Sequence, residues 1–266
     1  MSAVFPAIRS ELIKICTLPG TWLTTGVVLA LHTLAHLQAA SLFAEAVADI
    51  TPDGMIEIFI GRPEPAAEAL LEQLVASSLQ MGLFLPILAV VMAGQEFRSH
   101  QLGATVLAVP RRGRLLVAKT LAAAGYLLFV AVLIAGISTA FMYAAVESWN
   151  PGLLLTSDAF LGHGKFVVFA VLFSLTIFAI TIIVRGALAG IVAAVVLITL
   201  TMTQVATAIA PALDALLPLS AGRNLLLNPE TNQLSAGPVH ALCVLVGWAL
   251  VTTALAGVAL GVRDAR

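Results

Sequence analysis

The sequence predicts an all-α integral membrane protein, with six transmembrane helices in a single domain over residues 1–266. Three observations predict it. Charged residues make up only 10% of the chain, against roughly 25% in soluble domains, while 60% is hydrophobic. The apolar residues gather into six runs close to the length of about 20 that a helix needs to cross a bilayer core. Lys and Arg are divided unequally between the links that join those runs.

The predicted spans are Trp22 to Ala44, Leu74 to Gly94, Leu121 to Ala145, Phe166 to Val184, Ala187 to Ala210, and Val239 to Val262. The first follows a short polar segment. Its 23 residues extend about 35 Å at the α-helical rise, which is too long for the hydrophobic core of a cleaved signal peptide. With both termini on one side, that side receives Arg9, Lys14, Arg98, Arg111, Arg112, Arg114, Lys119, Arg185, Arg263 and Arg266. The other side receives Arg62, Lys165 and Arg223 alone. Ten against three predicts a cytoplasmic-membrane protein with both termini in the cytoplasm.

His32 and His36 lie four apart on the first span and share one side of it. Such a pair either hydrogen-bonds within a helix bundle or contacts a ligand in a translocation path. A zinc-protease motif needs Glu at the position held by Thr33, so no metal site is expected. The loop "EAVADITPDGMIEIFIGRPEPAAEALLE" mixes acids, Pro and Gly with apolar residues and reads as partly ordered.

After the second span comes "GQEFRSHQLGATVLAVPRRGRL" (Gly94 to Leu115), the most basic stretch of the chain. Leu102, Val106 and Val109 recur at helical spacing, opposite Arg98, Gln101 and Thr105, and Pro110 stops the helix. The reading is an amphipathic helix of about three turns, after which "RRGR" turns the chain into the third span. Its charges would enforce topology and touch anionic lipid, or the helix would dock a cytoplasmic partner.

"GHGKF" (Gly162 to Phe166) lacks the first Gly and the hydroxyl of a phosphate-binding loop and reads as a turn into span four. On span five Thr199, Thr203 and Thr207 repeat every four residues, for helix packing or for lining a polar cavity. The Gly186/Gly190 and Gly257/Gly261 pairs have small-xxx-small spacing. Pro211 to Pro238 is too apolar for a free loop, and short helices dipping into the outer leaflet are expected. Cys16 and Cys243 read as small buried hydrophobes. The spans hold no Asp or Glu, which argues against a proton-coupled antiporter and against a membrane-embedded enzyme.

"GQEFRSHQLGATVLAVPRRGRLLVAKTLA" resembles the coupling region of ABC transporter permeases of the type-2 exporter class. Glu96, Phe97, Arg98, Pro110, Arg111, Arg112, Arg114, Ala118 and Lys119 carry the likeness, with Ala104 inserted between Gly103 and Thr105 as a departure. "RSELIKICTLPGTWLT" (Arg9 to Thr24) is similar to the amphipathic elbow helix of that class. "VRGALAGI" (Val184 to Ile191) is similar to its turn between spans four and five, and "LLPLSAGRNLL" (Leu216 to Leu226) to its outer re-entrant segment.

The resemblance implies a six-span half-transporter moving a hydrophobic or amphipathic substrate. Glu96, Phe97, Arg98, Leu102, Val106 and Val109 would couple to a separate ABC ATPase subunit, which binds the ATP and Mg; this chain has no cofactor and is no enzyme itself. A second permease chain would complete a homodimer in membrane lipid. His32, His36, Thr199, Thr203 and Thr207 would lie toward the pathway and the dimer seam, on spans one and five. No nucleic-acid partner is expected. The competing reading is a non-transporting scaffold or sensor, whose basic loop recruits a cytoplasmic partner or anionic lipid.

Overall fold

The computed structural model describes residues 4–58, 63–98, 112–229 and 232–262. The protein is almost wholly helical there, and five helical segments are long and apolar enough to cross a membrane: Pro19–Ala48, Ala66–Gln95, Gly113–Val146, Ser157–Val184 and Pro238–Val262.

The chain opens with α1 (Val4–Thr17) and α2 (Pro19–Ala48). Leu18 is extended ahead of Pro19, which takes the first position of α2, so the proline separates two helices instead of kinking one. A two-residue ribbon follows, β1 (Met55–Ile56) antiparallel to β2 (Glu64–Pro65), with Met55 opposite Pro65. Gly54 enters it at φ 75°, a conformation that side chains resist. Next come α3 (Ala66–Gly82) and α4 (Leu85–Arg98), separated by a turn at Leu83 and Phe84 just ahead of Pro86.

Helix α5 (Arg112–Val146) begins inside the basic run. Gly113 and Arg114 are therefore already helical and do not form the expected turn into the third span. A 3-10 turn at Pro151–Leu155 leads to α6 (Ser157–Val184), capped by the Thr156 hydroxyl. "GHGKF" lies within α6, not in a turn before it. Left-handed Arg185 (φ 54°) ends α6, and extended Gly186 starts α7 (Ala187–Met202).

The expected fifth span does not continue as one helix to Ala210. Gln204 is left-handed at φ 54°, and a separate α8 (Val205–Ile209) follows it. Helix α7 has 16 residues, about 24 Å of rise, so alone it falls short of a bilayer core of about 30 Å. Thr201 and Thr203 turn their hydroxyls back onto the carbonyls of Leu197 and Thr199, as Thr139 and Thr176 also do within unbroken helices, while Pro211 forbids continuation beyond extended Ala210. The next segment forms the expected short helices, α9 (Pro211–Asp214) and α10 (Pro218–Leu226), before α11 (Pro238–Val262).

Helix α6 is the axis of the bundle and packs on α3, α4, α5, α7, α10 and α11. Phe166, Phe169 and Phe173 are fully buried on it, and the last two rings stack with centroids 5.6 Å apart. Lipid tails remove most of the hydrophobic incentive for helices to associate, so close packing must supply it. Small residues face these rings: a Cβ on Gly82 would stand 2.9 Å from Phe166, and one on Gly222 would strike Phe169. Only one glycine of each small-xxx-small pair is in close contact, Gly190 against Thr181 and Gly257 against Leu116. A second, smaller apolar cluster around Val47, Ile56, Leu70 and Val146 closes the end of the bundle away from α1. Cys16 and Cys243 are exposed thiols, contrary to the buried reading: Cys16 sits on α1 and Cys243 on the outer face of α11.

Candidate functional site

Three segments that are distant in sequence meet at the α1 end of the bundle. Glu11 of α1 accepts from Lys119 of α5 at 2.7 Å and from Lys14, one turn away, at 2.6 Å. Glu11 and Lys119 are both buried, so the pair is shielded from solvent competition. Gly20, at the start of α2, gives room to the Gln95 side chain of α4. On the other side of α4 a Cβ on Gly94 would stand 2.7 Å from Cβ and 3.2 Å from Cα of Ala187, which brings that helix against the first residue of α7. The end of α4 is thus wedged between the α1–α2 corner and the α6–α7 turn. A cavity of about 230 Å³ remains among Glu11, Lys14, Met92, Gln95, Lys119 and Phe178.

Of the six residues expected to couple to an ATPase, Glu96, Phe97 and Arg98 form the last turn of α4, and Phe97 is half-buried. Leu102, Val106 and Val109 lie outside the described residues. Sequence reading missed the pairing of Lys119 with Glu11. A lone acid on an amphipathic N-terminal helix, with an unplaced Lys beyond the basic run, was the available signal.

The second candidate site surrounds the histidine pair. His32 is buried and His36 nearly so, both turned toward α5 and away from lipid. His32 Nε2 lies 3.2 Å from the Ile134 carbonyl and 3.0 Å from Ser138 Oγ; His36 Nε2 lies 3.3 Å from the same hydroxyl. Ser78 of α3 adds its hydroxyl 2.8 Å from Ser138. A carbonyl only accepts, so a neutral His32 carries its proton on Nε2; between Ser138 and His36 Nε2 the donor is set by the His36 tautomer. His36 Nδ1 makes no hydrogen bond among the described residues. The His36 ring stacks on Phe141 with centroids 5.1 Å apart and 9° between planes. Both rings hydrogen-bond within the bundle, and His36 also lines a cleft beside it.

Thr199, Thr203 and Thr207 are exposed on α7, at the break and on α8, so they do not form one continuous stripe. Helix α2 packs on α4 and α5, whereas α7 packs on α4 and α6. The histidine and threonine sets therefore occupy helices that flank α4 and do not converge within one protomer.

A third polar network holds the segment before α11. Buried Asp214 accepts from Ser220 Oγ at 2.6 Å and from Ser235 Oγ at 2.9 Å. Asn224 donates to Ser235 Oγ and accepts from its backbone N–H. Asn232 then reaches Glu72 of α3 at 2.7 Å. No group of three His, Cys, Asp or Glu side chains is placed to hold a metal ion among the described residues.

No family model matches the chain, and a search of curated proteins finds no match either.

Proposed function

We propose that this chain is the membrane-spanning permease subunit of an ATP-driven exporter of the ABC type-2 class. The observation that carries the reading is the meeting of three segments at one end of the bundle. Arg9 to Thr24, Gly94 to Ala122 and Val184 to Ile191 are far apart in sequence, and each resembles a segment of that class. They touch through Glu11–Lys119, Gly20–Gln95 and Gly94–Ala187. A force applied to the link between α4 and α5 would pass directly into the feet of α1, α2, α5 and α7. That is the layout required of a chain driven by a partner's ATP hydrolysis.

In this reading the α1 end faces the cytoplasm, α7 and α8 together make the sixth crossing, and a second copy completes the pathway. The competing scaffold reading needs only the charge of the basic link. Replacing Leu102, Val106 and Val109 with Ser, while every Arg is kept, separates the two. An ATPase-coupled permease loses substrate-stimulated ATP hydrolysis, whereas a charge-dependent scaffold keeps its partner.

A further inference from the structure

The cleft beside His36 has two adjoining chambers, of about 480 Å³ between α2 and α3 and about 240 Å³ between α2, α3 and α5. Both chambers share His36, Phe43, Gln73 and Ser77. The larger is in the size range of small-molecule sites. It runs along α2 from His32 to Glu45, thirteen residues or about 20 Å, from the middle of the helix to its exposed end.

Its walls change character along that length. Exposed Glu45 and Asp49 stand at the mouth, with Glu57 beside them, and no Lys or Arg is among the described residues lining either chamber. Deeper in come Phe43 and Phe141, whose ring faces attract a cation as well as apolar surface. At the base His36 is nine-tenths buried, and its Nδ1 makes no hydrogen bond among the described residues. Gln73, which lines both chambers, also makes no hydrogen bond among the described residues.

A lipid acyl chain would leave these imidazole and amide groups unsatisfied and would gain nothing from the acidic mouth. An anion would be repelled by it. We infer that this cleft binds an amphipathic organic cation that carries a hydrogen-bond acceptor. Its charge sits at Glu45 and Asp49, its acceptor on the Gln73 amide N–H, and its apolar body deeper, against Phe43 and Phe141. The inference stands on the cleft alone; that the bound cation is cargo rests on the permease reading.

Benzoylcholine fits this description, having a quaternary ammonium, an ester and a phenyl ring. Its uncharged carbon isostere, 3,3-dimethylbutyl benzoate, has the same shape. Titration calorimetry on the purified full chain in detergent, with no ATPase present, compares the two. The cation is expected to bind saturably and at least tenfold more tightly than the isostere. Glu45→Gln combined with Asp49→Asn should remove that preference, and Ala39→Leu should weaken both ligands by filling the cleft. Glu45 and Asp49 are exposed, so the double variant retains the fold, which its elution profile checks. Equal binding of cation and isostere would overturn the inference, as would a preference that survives the double variant. Because the assay contains no ATPase, loss of the permease reading leaves its outcome unaffected.

Discussion

Lys119 of α5 and Glu11 of α1 form a buried ion pair at 2.7 Å, which ties the first helix of the chain to the segment that follows the basic link. Two charges out of water are tolerated only together. Glu11→Ala should therefore cost about 3–5 kcal/mol by taking the carboxylate from buried Lys119, and Lys119→Ala should cost less, because Lys14 still pairs with Glu11. The double variant Glu11→Gln with Lys119→Met should recover most of it. Thermal unfolding in detergent, followed by loss of the monodisperse elution peak, measures both.

Ser138 serves His32, His36 and Ser78 at once. Removing its hydroxyl leaves His36 Nε2 without its partner and Ser78 with only the Leu74 carbonyl of its own helix. Ser138→Ala should lower stability by about 1–3 kcal/mol, the range for an unsatisfied buried polar group. Ser138→Thr keeps the hydroxyl and should lose less in the same melting assay.

Gly222 lies where a side chain would meet the ring of fully buried Phe169. That ring is stacked on Phe173 and has no free direction in which to swing. Gly222→Ala should cost about 1–3 kcal/mol through overpacking and lift α10 from α6. Faster backbone hydrogen exchange over residues 211–226, with α5 unchanged, would show the displacement.

Gln204 holds a left-handed conformation at φ 54° between α7 and α8. Gly takes this conformation without the steric cost that a Cβ imposes, so Gln204→Gly should be neutral or stabilising by up to roughly 1 kcal/mol. A mid-helix Gly would destabilise by a similar amount. The sign of the melting shift therefore reports whether a break or a continuous helix exists at this position.

Much of this architecture is legible in the sequence because lipid imposes a coarse rule: long apolar runs become helices. Span four shows the limit of that rule. Its apolar core was legible, but Thr156 caps the helix nine residues before Lys165, so "GHGKF" is helical despite its two glycines. Span five failed more instructively. Hydropathy does not register the left-handed turn that Gln204 takes between α7 and α8. At the histidine pair, four-residue spacing placed both rings on one face. The partner hydroxyl of Ser138, on a helix more than a hundred residues later, carried no sequence signal linking it to them. The Glu11–Lys119 pair escaped notice for the same reason: long-range pairing of single charges has no periodicity to read.

The central claim is that the end of α4 and the link after it receive work from a separate ATPase. Affinity purification of the full chain from its native membranes, followed by assay of ATP hydrolysis, tests this most directly. The account predicts that an ATPase with a phosphate-binding loop co-purifies with the chain and that its turnover changes when the chain is present. Glu96→Ala with Arg98→Ala should abolish both effects while the chain still elutes as a folded species. A co-purifying ATPase unaffected by the double variant, or native membranes that yield the folded chain with no ATPase bound, would contradict it.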